Sequence, residues 1–186
     1  MKRILVIILA LAAAIGGNAQ QTVEINSTRQ AVKRSGDALM IAMPLATLTA
    51  VIVERDWQGL KQAAFSAATT AGVTCLLKYT IKKTRPDGSD NHSFPSAHTS
   101  VMFANAAFVQ RRYGWKLGAP AYVLATYVGW SRTYAKKHDW WDVVAGAAIG
   151  AGSSYIFTRP FAKKHNLVMA PVSDGEHFGL TASFNF

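Results

Sequence analysis

Hydrophobic residues are concentrated in five segments of helical length, which follow a shorter apolar stretch at the N-terminus. Each segment is rich in Ala, Leu, Val and Ile, and none alternates strictly between apolar and polar residues as a half-buried strand does. The segments are Ala38–Val53, Gly59–Leu77, His98–Val109, Leu117–Trp130 and Val143–Thr158. The pattern predicts an all-α fold, a helical bundle of five to six mostly apolar helices.

The N-terminal stretch has the parts of an export signal. A basic start and an apolar core precede Gly17-Asn18-Ala19, which has the small residues of a cleavage site. We expect residues 1–19 to be a signal peptide. The alternative is an uncleaved first membrane helix, although the apolar core is short for a span of ~20 residues. Residues 20–36 would be an exported N-terminal segment, and residues 37–165 a helical domain.

The C-terminal residues 166–186 have a different pattern. Two short runs rich in β-formers, Leu167-Val168-Met169 and residues 179–184, flank the turn sequence Ser173-Asp174-Gly175. Such runs around a turn predict a small β-hairpin in this tail.

The tryptophans lie at or just outside the ends of the apolar segments, as in the aromatic belts of membrane proteins. They are Trp57, Trp115, Trp130, Trp140 and Trp141. This placement favours a membrane-embedded bundle, although the polar second segment leaves a soluble bundle open. Pro44 and Pro120 are expected to kink their segments or lie in a first helical turn. Gly146 and Gly150, four residues apart, predict close packing of the last helix.

The composition narrows the functional classes. Half of the 186 residues are hydrophobic, and only 16% are charged, below the roughly 25% of a soluble domain. The net charge is +10, but the basic residues occur in short groups beside apolar segments, and no nucleic-acid-binding module is visible. An anionic lipid or phosphate partner is therefore favoured over nucleic acid. Cys75, the single cysteine, excludes an internal disulfide and is expected to be a buried, inert thiol.

Three short blocks at segment boundaries combine cations, histidines and one carboxylate. The blocks are Lys78-x6-Arg85-Pro86, Phe94-Pro95-Ser96-Ala97-His98 and Ser131-Arg132-x5-His138-x3-Asp142. Arginine and lysine suit the oxygens of a phosphoryl group, and a hydroxyl before a helix predicts an anion site at its N-terminus. Two histidines can act as nucleophile and acid–base group. His138 and Asp142 would share one face if that turn is helical, and the carboxylate would then fix the imidazole tautomer.

In these blocks the sequence resembles the type 2 phosphatidic acid phosphatase family, which shares its core with the vanadium haloperoxidases. The spacings within the first and third blocks agree with the family pattern. One position departs from it, because Ala97 stands where the family usually has glycine. Alanine keeps the backbone N–H, so a phosphate contact is retained unless the position needs a positive φ or a very close approach.

The resemblance implies a role for each residue. His138 would attack phosphorus with Asp142 orienting it, and His98 would protonate the leaving oxygen and then activate water. The phosphoryl oxygens would be bound by Lys78, Arg85, Ser96, Ala97 through its amide, and Arg132. The resemblance implies no metal and no cofactor, because the cationic side chains bind the phosphoryl oxygens in place of a metal.

The resemblance leads us to expect a phosphatase that acts on a phosphomonoester or pyrophosphate, most naturally of a phospholipid or polyprenyl phosphate. Its site would face the periplasm or exterior from the inner membrane, because both catalytic loops fall on one side of the bundle. A soluble exported acid phosphatase, a vanadate-dependent haloperoxidase and a lipid-binding relic are the alternatives. The sequence leaves the lipid unidentified.

Overall fold

Five helices form the bundle predicted from the sequence, which confirms the all-α fold. The computed structural model describes residues 25–161, 167–173 and 178–184. The helices are α1 (Ile25–Val53), α2 (Trp57–Thr80), α3 (Ala97–Tyr113), α4 (Trp115–Tyr134) and α5 (Trp140–Phe157). Two strands, β1 (Leu167–Ser173) and β2 (Phe178–Phe184), pair antiparallel, with Leu167 opposite Phe184. The expected signal peptide at 1–19 lies outside the described residues.

Helix α1 starts earlier than the apolar pattern indicates. Residues 25–36, which we expected to precede the helical domain, belong to its first helix, because α1 begins at Ile25 and continues through Gly36. A side chain at Gly36 would collide with Ser131 and Arg132 of α4, so close packing requires the glycine there. Pro44 lies well inside α1, beyond its first turn.

Helix α3 lies at the centre of the bundle and packs against α1, α2, α4 and α5. Its Met102 and Ala106 are fully buried in a core that also contains Ala125 and Val128 of α4. Full burial of a Met or Val side chain stabilises the folded state by about 1.5–3 kcal/mol. The N-terminus of α3, which carries the second sequence block, is therefore held in the middle of the fold.

Gly146 and Gly150 bring α5 against the backbone of α3, as predicted. A Cβ at Gly146 would lie 2.6 Å from the carbonyl oxygen of Ser96, and one at Gly150 would collide with the carbonyl of Ser100. The absence of these two side chains allows the N-terminal ends of α3 and α5 to approach each other, which brings the second and third blocks together.

The opposite end of the bundle is closed by a buried ion pair. Arg112 at the end of α3 donates to both oxygens of Asp56, the N-cap of α2, and its Nη1 donates to the carbonyls of Arg159 and Pro160. Both side chains of the pair are almost fully buried. These contacts place the α1–α2 turn and residues 159–160 at one end, so the three blocks share the other.

Helix α2 buries a row of polar side chains and exposes large apolar ones. Buried polar residues recur every four positions and are Gln62, Ser66, Thr70 and Thr74, whereas Phe65 is 62% and Leu76 65% exposed. Cys75 is also exposed, so its expected burial is wrong: it lies on the outer face of this helix. Within the described residues, one helix, over Ser27–Val53, has the length and hydropathy of a membrane span.

Candidate active site

A pocket of about 260 Å³ opens at the end of the bundle where the three blocks meet. It contains four of the residues singled out from the sequence, namely Arg85, His98, Arg132 and His138. The other residues that line it are Lys33, Asp37, Ser89, Asp90 and Lys137. Cations predominate among them, so the pocket is suited to an anionic group.

His138 precedes α5 rather than lying on it. Asp139 is the N-cap of α5, and a capping box joins its side chain and backbone to those of Asp142. His138 is 4% exposed, and its Nδ1 lies 3.5 Å from Oδ2 of Asp142, which is completely buried. The turn at His138 is not helical, so the condition for a shared helical face is not met, but the capping turn brings the two side chains together.

The Asp142 carboxylate is held on several sides. Its Oδ1 accepts from Nζ of Lys83 at 2.7 Å, and its Oδ2 accepts from the Ser93 hydroxyl and, at 3.1 Å, from the Asp139 amide. Lys83 also donates to Asp139 at 2.5 Å. Burial opposes the charge on Lys83, but its hydrogen bonds to Asp139 and Asp142 outweigh that effect and raise its pKa. The side chain of Asp142 is therefore held in place facing His138.

His138 is kept in its neutral form by its surroundings. Burial is the largest influence and lowers its pKa, and the positive charges of Arg85 and Lys78 lower it further. Asp142 acts in the opposite direction but does not compensate. A neutral imidazole has a free electron pair, so this environment suits a nucleophile.

His98 lies in the first turn of α3 and meets a residue of α1. Its Nε2 is 2.9 Å from Oδ1 of Asp37. The same oxygen accepts from Nη1 of Arg132 at 2.6 Å. Arg132 is 2% exposed, and its other contacts are the carbonyl of Lys33 and the hydroxyl of Ser131. The second histidine and the cation of the third block are thus joined through one carboxylate.

Arg85 reaches the pocket from the loop between α2 and α3. Its Nε donates to Oδ1 of Asp90 at 2.8 Å, and its amide donates to the Asp90 carbonyl. The loop is closed by the backbone bond from Ser93 to Lys83. These contacts hold the guanidinium on the pocket wall.

The remaining predicted residues lie next to the pocket. Lys78 donates to the carbonyls of His92 and Pro95 at 2.7 and 3.0 Å, which fixes the approach to α3. Ser96 is completely buried and is the N-cap of that helix, accepting from the Thr99 amide. Its own amide donates to the carbonyl of Asp142 at 3.0 Å.

Ala97 is the first residue of α3, where a backbone N–H has no partner within the helix. Among the described residues other than glycine, a positive φ occurs only at Arg55 and Lys136. Ala97 therefore has no need of the conformational freedom of glycine.

Residues 59–165, more than half of the chain, match the family model of the PAP2 superfamily. The chain belongs to this superfamily. The resemblance seen in the three blocks is thereby confirmed. All eight predicted site residues fall within the matched PAP2 region, whereas Lys33, Gly36 and Asp37 precede it.

The relatives of this PAP2 protein include enzymes that are named for their activity. The chain is 29% identical over 160 residues to the lipid A 4'-phosphatase of Helicobacter pylori, and the alignment covers 80% of each chain. It is 34% identical over 90 residues to the lipid A 1-phosphatase of Porphyromonas gingivalis, covering 47% of this chain and 20% of that one.

Among solved structures, LpxE from Aquifex aeolicus has a similar fold. The TM-score is 0.60 at 22% identity, and the match covers 80% of this chain and 92% of that one. At this level of identity the likeness shows the fold alone.

Several site residues could not be recognised from the blocks. The role of Asp139 as a helix cap could have been predicted from the local sequence. An Asp three residues before a second carboxylate, at the start of an apolar run, is typical of a capping box. Asp37 and Lys83 had none, because their partners are distant in the sequence: Asp37 contacts residues 61 and 95 positions away, and Lys83 contacts Asp142 59 positions away.

Proposed function

We propose that this protein is a metal-independent phosphatase that hydrolyses a phosphomonoester or pyrophosphate of a lipid through a phosphohistidine on His138. The observation that carries the proposal is the pocket itself, in which two histidines and the guanidinium groups of Arg85 and Arg132 converge. Such a set can bind a phosphoryl group, attack it and protonate what leaves.

The first step is an in-line displacement. A ring nitrogen of neutral His138 attacks phosphorus, a P–N bond forms, and the bond to the leaving oxygen breaks. That oxygen receives the electron pair of the broken bond and a proton from His98. Asp142, fixed by Lys83 and Ser93, orients His138 and stabilises the positive charge that develops on its ring.

The second step returns the enzyme to its starting state. His98, which has lost its proton, removes one from a water molecule that attacks the phosphohistidine. The P–N bond breaks, its electron pair returns to His138, and inorganic phosphate is released. His98 is protonated again, so one water molecule is consumed in each cycle and all other atoms balance.

Positive charge replaces a metal clamp in this scheme. Arg85 and Arg132 are on the pocket wall and bind the equatorial oxygens of the phosphoryl group. Lys78 lies just behind it, and the Ala97 amide at the start of α3 adds a donor. The Asp37–Arg132 and Asp90–Arg85 pairs hold both guanidinium groups in place before substrate arrives.

The outer surface of the bundle supports a lipid substrate and a membrane location. Large apolar side chains are exposed on four helices, including Ile41 at 63%, Leu76 at 65%, Val123 at 68% and Ile156 at 74%. Hydroxyl and amide side chains are buried instead on α2 and α5. This arrangement is expected where the surrounding solvent is hydrocarbon. We place the protein in the inner membrane, with the pocket on its periplasmic face.

The named relatives support a glycolipid phosphate as the substrate class. Both act on lipid A, one at the 1-position and one at the 4'-position. The proposal for this chain is a phosphate on a lipid of that kind. Phosphatidic acid, phosphatidylglycerol phosphate and polyprenyl pyrophosphate present similar oxygens and belong in the same assay.

The test is phosphate release by the purified protein from these four lipids in detergent. We expect activity to persist in excess EDTA and to be inhibited by vanadate, which mimics the five-coordinate transition state. Loss of activity in EDTA with recovery on adding a divalent ion would contradict the mechanism. Equal turnover of soluble esters and lipids would contradict the lipid substrate, and bromide oxidation with vanadate would indicate a haloperoxidase instead.

A further inference from the structure

One carboxylate oxygen connects His98 with Arg132. Oδ1 of Asp37 lies 2.9 Å from Nε2 of His98 and 2.6 Å from Nη1 of Arg132. The Asp37 side chain is 38% exposed and lines the pocket. It is therefore in contact with the acid–base histidine without being sealed away from the substrate.

The placement of Asp37 is a specific feature of the packing between α1 and α4. Gly36 lets the α1 backbone approach Arg132, whose Nη2 donates to the Lys33 carbonyl at 2.6 Å. The hydroxyls of Ser35 and Tyr127 are 2.7 Å apart. Two hydrogen bonds and the close approach at Gly36 thus fix this turn of α1, a helix that precedes the residues matched by the superfamily.

His98 has many cations around it and needs a compensating charge. The pocket residues that carry or can carry charge, besides Asp37 and His98, are Lys33, Arg85, Asp90, Arg132, Lys137 and His138. Asp90 forms a salt bridge with Arg85. Among the described residues, Asp37 is the carboxylate that forms a hydrogen bond with His98. Burial and the charges of Arg132 and Arg85 disfavour the imidazolium that a general acid requires, and Asp37 acts against these effects.

We infer that Asp37 is a positioning residue for His98: its carboxylate orients the ring and stabilises the imidazolium form that protonates the leaving oxygen. This inference rests on the proposed function, because it assigns a purpose to His98 as acid. The site then has two histidine–aspartate pairs. His138 and Asp142 serve the nucleophile, and His98 and Asp37 serve the leaving group.

The experiment compares two substrates with the same phosphoryl group and different leaving groups. Octyl phosphate releases an alkoxide that must be protonated, whereas p-nitrophenyl phosphate releases a stable phenolate. General acid catalysis contributes about 10²–10⁴-fold. We expect Asp37→Asn to reduce kcat for octyl phosphate at least about 10-fold more than for p-nitrophenyl phosphate, and Asp37→Glu to recover part of the difference. The ratio of the two rates does not depend on how much of a variant is folded.

Two sets of controls separate the possible outcomes. His98→Asn should change the ratio in the same direction and by more. Asp87→Asn removes a carboxylate whose partner, Lys137, lies 2.5 Å away on the neighbouring loop, and it should keep the wild-type ratio. An equal loss on both substrates in Asp37→Asn would show a purely structural contact and overturn the inference. An unchanged ratio with tighter inhibition by inorganic phosphate would also overturn it, because Asp37 would then only occupy the anion site.

The same experiment separates this inference from the proposed function. Phosphate release that survives His138→Asn would contradict the nucleophile and with it the whole scheme. An inactive His138→Asn with a normal leaving-group effect in His98→Asn, but none in Asp37→Asn, would contradict the role of Asp37 alone.

Discussion

Nζ of Lys83 lies 2.7 Å from Oδ1 of Asp142, whose other oxygen, Oδ2, lies 3.5 Å from Nδ1 of His138. Lys83 is one of the unspecified residues of the first block, between Lys78 and Arg85. Its ammonium group also donates a hydrogen bond to Asp139, the N-cap of α5. The loop after α2 and the start of α5 are therefore joined by one ammonium group, which holds the carboxylate next to His138.

We predict that Lys83→Met lowers kcat while leaving KM nearly unchanged. Without the ammonium, Asp142 loses a partner and is free to turn from His138. Groups that orient a catalytic ligand from behind are typically worth about 10–100-fold, and we expect a loss in this range. Lys83→Arg, which keeps the charge, should retain most of the activity. A Lys83→Met enzyme with wild-type kcat would show that Ser93 and Asp139 suffice.

The contribution of the Ala97 amide can be tested by removing its hydrogen. Proline is well tolerated at the first position of a helix, and Ser96 before it has an extended conformation with φ −73° and ψ 108°, compatible with a following proline. We predict that Ala97→Pro raises KM and weakens vanadate inhibition, whereas Ala97→Gly stays within about a few-fold of wild type because glycine keeps the amide. Equal values for the two variants would exclude the amide from phosphate binding.

The close packing of α3 and α5 predicts opposite effects at two glycines of the same helix. Gly150→Ala would drive a methyl group into the backbone of Ser100 and Ala104, whereas nothing lies within 4 Å of a Cβ at Gly152. We expect Gly150→Ala to lower the thermal stability markedly. Gly152→Ala should leave it unchanged or raise it, since alanine favours helix by about 0.8–1 kcal/mol over glycine. Similar melting temperatures for both variants would contradict this packing.

The low pKa of His138, caused by burial and by Arg85 and Lys78, makes stability depend on pH. The unfolded chain takes up a proton there near the ordinary pKa of about 6.5, while the folded protein does not. The stabilisation that the folded protein gains at His138, relative to the unfolded chain, is therefore complete above about pH 6.5 and is lost as pH falls below it. Between roughly pH 7 and pH 5, thermal unfolding should show a smaller decrease in Tm for His138→Asn than for wild type. His92→Asn is the control, and a decrease equal to that of wild type in His138→Asn would contradict the prediction.

The sequence was sufficient to predict the helical bundle and the residues of the three blocks, because both depend on local patterns. Segments of apolar residues mark helices whatever they pack against, and the blocks have fixed internal spacing. Four of their residues meet in the pocket, and the others lie beside it. The prediction of close packing at Gly146 and Gly150 is also confirmed. Small residues four positions apart on a helix typically allow another helix to pack closely against it.

The features that could not be predicted depend on distant contacts. The early start of α1 follows from its packing on α4, where Gly36 and Asp37 meet Arg132. Nothing near Asp37 in the sequence indicates that partner. The position of His138 before α5 depends on the Asp139 cap and on the carbonyl of Arg132, which accepts from the His138 amide at 3.3 Å. The exposure of Cys75 depends on which face of α2 turns outward.

The phosphohistidine on His138 is the central claim, and acid-quench trapping with labelled substrate tests it most directly. A phosphohistidine is stable in base and labile in acid. We expect such label in wild type, and at least as much in His98→Ala, because His98 also activates the water that removes it. His138→Ala should trap none, since no covalent intermediate forms without the nucleophile. Label that persists in His138→Ala and disappears in His98→Ala would show that the two roles are reversed.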